Sequence, residues 1–100
     1  MSSQTKPVQQ QRRTIAVCWF KRDHYEEAKA LMADPDRLYG SYDEWLKEAL
    51  GFEREMVGRD VKTKRVAFHI QSFILFCRIR SLVPDAGARM LWAAQEAQKL

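Results

Sequence analysis

Cysteine is scarce in this 100-residue chain: Cys18 and Cys77 are its only two, and no Cys-x-x-Cys occurs. That excludes a disulfide framework and leads us to expect reduced thiols in a cytoplasm. Glycine totals four with none clustered, which excludes a phosphate-cradling loop and a dinucleotide fingerprint. The only histidines are His24 and His69, and their spacing with the cysteines matches no zinc pattern. Long apolar runs are missing as well. Ile15–Phe20 and Phe73–Cys77 fall far below the roughly 20 residues that a membrane span needs, so no membrane partner is expected. The first residues hold no apolar signal core, and no export is expected. What the chain does have is eleven aromatics and a hydrophobic fraction of 46%, enough for one core in one domain.

Negative charge is absent from the first 22 residues, which hold five basic side chains. Residues 23–55 hold ten acidic and four basic residues, and residues 56–100 hold three acidic and eight basic. The blocks of +5, −6 and +5 sum to the net charge of +4. Such blocks either attract one another, within the fold or between copies, or form solvated faces.

The stretch 1–13 is polar and basic and reads as a disordered tail, with a single domain over 14–100. Thr14–Phe20 is β-branched and aromatic. Ile15, Val17 and Trp19 fall on one face and Ala16, Cys18 and Phe20 on the other, the pattern of a strand covered on both sides. Asp23 and Glu26 have the spacing of a capping box for a first helix, which Asp34-Pro35 stops. Ser41 and Glu44 form a second such box. It opens a helix whose stripe is Tyr42, Trp45, Leu46, Ala49, Phe52, Met56 and Val57, with Gly58 as terminator. Gly51 inside that helix suggests a close packing contact. Alternation predicts a second strand over about 64–70, and Ser72 is the expected cap of a third helix, with a strand continuing to Ile79 as the alternative because the stretch is rich in β-formers. Asp85 caps a fourth, with Ala88, Leu91 and Trp92 towards the core. The fold class is therefore α+β, or a small α/β fold. A two-stranded central sheet lies with four helices in the order strand-helix-helix-strand-helix-helix. Tight connections favour antiparallel strands; the 58–63 connection leaves parallel pairing open.

No recognisable catalytic motif is present, and no catalytic, metal or cofactor residue is assigned. Cys18 and His69 would lie side by side only if the strands brought them together. Glu26-Glu27 and Asp43-Glu44 sit in first helical turns, where the helix dipole stabilises negative charge. For nucleic acid, the candidate residues are Arg12, Arg13, Arg59, Lys62, Lys64 and Arg65, which lie at the starts of the two strands. Parallel strands would gather Arg12, Arg13, Lys64 and Arg65 at one edge. A two-strand sheet also has two open edges, which pair readily with another copy. A proline at Val17 or Val66 is the sequence-level test of such an edge.

Trp19-Phe20, Tyr42-Asp43-Glu44-Trp45 and Phe73-Ile-Leu-Phe-Cys-Arg78 carry a resemblance to short bacterial proteins of unknown function, over residues 14–97. The resemblance implies a compact bacterial domain and transfers no activity, cofactor or catalytic residue. The expectation is a non-enzymatic interaction module of a bacterial cytoplasm, without cofactor and forming a homodimer. The alternative is an accessory nucleic-acid-binding protein that uses the basic residues.

Overall fold

Thr14–Trp19 (β1) and Lys62–Ala67 (β2) form a two-stranded sheet, and they run parallel. The computed structural model describes residues 13–38 and 40–99. The expected tail therefore lies outside the described residues, apart from Arg13. In the register Thr14 lies opposite Lys62 and Trp19 opposite Ala67. The strand order and the four helices match the sequence pattern: Tyr25–Ala30 (α1), Tyr42–Gly58 (α2), Ile70–Arg80 (α3) and Ala86–Ala97 (α4). Short 3-10 turns occupy Arg22–His24 and Pro35–Arg37.

The parallel sense comes from α2. Its 17 residues span about 25 Å, enough to carry the chain back past a strand of about 20 Å. The start of α2 packs beside the end of β1, where the Trp19 and Trp45 rings meet edge to face at 5.1 Å. Its later turns lie beside β2, where Glu53 pairs with Arg65 at 2.8 Å. The chain then enters β2 at the end where β1 began.

Side chains alternate across the sheet. Trp19 and Arg65 face α2, with the Arg65 guanidinium 3.9 Å from the Trp19 ring centroid. Cys18 and Lys64 face α4, where the Cys18 thiol lies 3.5 Å from the Arg89 carbonyl and Lys64 Nζ donates to the Ala97 carbonyl. The sheet is thus layered between α2 and α4. Around its end, Phe20, Tyr25, Trp45, Phe68, Phe73 and Trp92 form linked ring contacts. Trp92, Tyr25 and Phe73 are fully buried, and Trp92 Nε1 donates to Ser72 Oγ at 3.1 Å, so the indole loses no hydrogen bond on burial.

Local details depart from the sequence pattern in instructive ways. The Ser41–Glu44 box forms in both directions. The Asp23–Glu26 box does not: Arg22–His24 winds as a 3-10 turn, so α1 opens at Tyr25 with no side-chain cap. The second strand starts at Lys62 rather than 64 and ends at Ala67 rather than 70. Ser72 does not cap α3; His69 Nδ1 accepts from the Ser72 N–H instead. Asp85 caps α4 as expected, accepting from the Ala88 N–H. Gly58 is the last residue of α2, and the left-handed position beyond it belongs to Asp60, at φ 59°. Around Gly51, a Cβ would meet only the end of the Arg54 side chain at 3.7 Å, so close packing does not require that glycine. Phe52, Val57 and Leu91 are exposed rather than core. The fourth helix buries Ala88, Arg89, Trp92 and Ala93, because it is clamped between the sheet and α3.

The charge blocks meet within the fold. Arg22–Asp43, Arg65–Glu53 and Arg89–Asp34 each join a basic block to the acidic one.

Candidate functional site

The two edges of the sheet differ in chemistry. Lys62 N–H donates to the Arg13 carbonyl and Phe68 N–H to the Trp19 carbonyl. These bonds bracket the ladder and turn the odd-numbered residues of β1 towards β2. Because backbone groups alternate along a strand, Thr14, Ala16 and Cys18 aim their N–H and C=O groups away from β2. Among the described residues, no third strand lies on that side. Thr14–Trp19 contains no charged residue, no proline and no glycine. Charge and proline are among the devices by which proteins blunt an open edge. By contrast, β2 contains Lys62, Lys64 and Arg65.

The β1 edge opens into an apolar groove of about 440 Å³. Its floor is Ile15, Ala16, Val17 and Cys18. One wall is α2, through Trp45, Ala49 and Phe52; the other is α4, through Ala86, Met90 and Ala93; Leu38 closes an end. Phe52 is 37% exposed and Met90 71% exposed, so apolar surface stands at both lips. Hydrophobic periodicity gave no sign of this site. It assigned Phe52 to the core stripe and did not place Met90 in a site, and only the parallel register shows which edge of β1 has no strand beside it among the described residues.

The α4 wall is held from behind. Arg89, 8% exposed, donates from Nη1 to Asp34 Oδ1 at 3.1 Å, while Asp34 Oδ2 accepts from the Ala86 N–H at 2.9 Å. Ala33 N–H also donates to the Pro84 carbonyl at 2.8 Å. Burial pushes the Asp34 carboxyl up, but the Ala86 N–H and the Arg89 guanidinium outweigh it and hold the group below its ordinary value.

Thiol chemistry is poorly served here. Burial pushes the Cys18 thiol up to about 12, with Arg89 opposing the shift only in part. Burial, then Asp85, raises Cys77. Both thiols are protonated near neutral pH, and the thiolate is the reactive form. The register sets Val66 opposite Cys18, so His69 is not its neighbour. Among the described residues, no group of three or more His, Cys, Asp and Glu side chains is placed to hold a metal ion.

The basic residues are spread out rather than gathered at one edge. Arg12 lies outside the described residues. Arg13 meets Lys62 through the backbone, while Lys64 and Arg65 lie further along, opposite Ala16 and Val17. Lys64 and Arg65 point to opposite faces, towards α4 and α2. Arg59 pairs with Glu55 at 3.1 Å. The side chains of Arg59, Lys64 and Arg65 are thus already engaged within the chain.

Comparison with family models, curated proteins and solved structures finds no match to this chain.

Proposed function

We propose that this chain is a non-enzymatic interaction module that self-associates through the open edge of β1, giving a homodimer with a continuous four-stranded sheet. The observation that supports this most is the coincidence of an uncharged strand edge with an apolar groove between two helices. A parallel sheet is normally covered on its faces and extended at its edges. Here α2 and α4 cover the faces, and one uncharged edge is left. A strand added there satisfies the backbone groups of Thr14, Ala16 and Cys18 and covers Phe52 and Met90. A second copy of β1 is a fitting occupant because a closed two-fold pairing needs a self-complementary patch.

Light scattering on a dilution series tests this. The wild-type chain is expected at twice its monomer mass at micromolar concentration, dissociating on dilution. The proline must fall where the N–H points outward. Val17 and Val66 turn their N–H groups into the ladder, so proline there would disrupt the fold itself. Thr14→Pro, at the first residue of the strand where proline is tolerated, and Ala16→Pro remove outward donors and should weaken the dimer. A folded wild type that stays monomeric at every concentration overturns the reading. Salt-sensitive retention on DNA by that monomer would favour the nucleic-acid alternative, for which Lys62 is the cation of the 59–65 stretch with no side-chain partner among the described residues.

A further inference from the structure

We propose that two copies pair β1 against β1 antiparallel, with the two-fold axis passing between the two Ala16 residues. This register rests on the self-association reading above. In an antiparallel pair, outward-facing residues must oppose outward-facing residues if their N–H and C=O groups are to exchange bonds. A one-residue slip sets outward groups against inward ones and makes no ladder.

Among the registers that satisfy this, the one centred on Ala16 uses all of the strand's outward groups. Thr14 lies opposite the partner's Cys18, Ala16 opposite the partner's Ala16, and Cys18 opposite the partner's Thr14. Each outward N–H on either copy then meets a carbonyl. Centring on Val17 instead sets Thr14 against Phe20, which is beyond the end of the strand and buried at 4% exposure.

The side chains agree with the same centre. On the α4 face the opposed residues are Thr14, Ala16 and Cys18, the small side chains of the strand, so the two α4 helices have room to flank the seam. On the α2 face Ile15 opposes the partner's Val17, a β-branched pair of the kind that stabilises antiparallel strands. No like charges face each other, since residues 14–19 carry none. The other edge fails this test: centred on its outward residues, β2 would set Arg65 against its own copy.

Cysteine cross-linking reads the register. The hydrogen-bonded pair at a two-fold axis has Cα atoms about 5.5 Å apart, inside the roughly 4.4–6.8 Å that a disulfide spans. Ala16→Cys in a Cys18→Ala background should give a covalent dimer on mild oxidation. Ile15→Cys and Val17→Cys should not, because their own copies lie on the diagonal at about 7–8 Å. In a second measurement without substitution, the Thr14, Ala16 and Cys18 amides of the wild type should exchange slowly at high concentration and several-fold faster in the dilute monomer. A dimer by light scattering that cross-links through Val17→Cys instead, or whose three amides exchange equally fast at both concentrations, overturns the register and leaves self-association standing. A wild type that is monomeric throughout overturns both.

Discussion

Replacing Asp34 with Ala should cost far more than its partly exposed position suggests, because Asp34 holds the wall of the groove. The substitution removes the acceptor for Arg89 and for the Ala86 N–H. A charge-assisted hydrogen bond contributes about 1.5–3 kcal/mol, and stranding one partner of a fully buried pair costs about 3–5 kcal/mol. The Asp34 side chain is 25% exposed and that of Arg89 is 10% exposed, so water compensates part of the loss. We expect about 2–3 kcal/mol, which for a domain of this size lowers Tm by roughly 10–20 °C. In urea the midpoint should fall by about 1–2 M at unchanged m. The pH dependence supplies a second test. The folded-state pKa of Asp34 is depressed, so its contribution is complete above the unfolded value near 3.9 and is lost as pH falls through the folded value. The gap between wild type and variant should therefore hold steady from neutral pH down to about 5 and narrow below about 4. Asp34→Asn, which keeps an acceptor oxygen without the charge, should fall between them. A loss under about 0.5 kcal/mol, the ordinary surface range, or a gap that does not change on acidification, would refute the claim that this ion pair anchors α4.

Trp45→Ala should cost roughly 3–5 kcal/mol in urea unfolding, since Trp45 is buried against Trp19, Phe20 and Tyr25; near-wild-type stability would show that the ring stack is dispensable. The two capping-box motifs should separate on mutation. Ser41→Ala should lose about 1 kcal/mol, whereas Asp23→Ala should change thermal stability by less than about 0.5 kcal/mol, because Asp23 caps no helix. Equal losses at the two positions would contradict the different geometries of these motifs.

Element order and two of the helix caps were legible because they depend on residues within one turn of each other. Ser41 with Glu44 and Asp85 with Ala88 need no tertiary information. The Asp23 motif has the same spacing, yet the chain leaving β1 turns tightly at Arg22–His24 and uses Asp23 inside that turn. The start of β2 was missed because Lys62-Thr-Lys-Arg65 reads as a solvated connection. In the fold Lys64 and Arg65 lie over the helices on opposite faces, with their charges on the Ala97 carbonyl and on Glu53. Leu91, expected towards the core, is exposed while Arg89 is buried, for a similar reason. The face that α4 buries is set by the sheet and α3 together, and Asp34 makes an arginine acceptable there. The sense of strand pairing depends on the run of a helix 17 residues long, which local pattern does not encode.

The candidate site depends on that sense. Had the strands run antiparallel, Thr14 would face the far end of β2, and the same apolar sequence would present its outward groups in a different setting. With parallel pairing, the chain divides its two edges by composition. The β2 edge carries charged side chains, its outward Arg65 already paired with Glu53, and charge on an edge discourages strand addition there. The β1 edge carries none, and it lies at the bottom of a groove whose apolar lips, Phe52 and Met90, sit on different helices. Charge on one edge and its absence on the other would direct an added strand to a single place, so the proposed association through β1 would close after two copies rather than continue into a fibre.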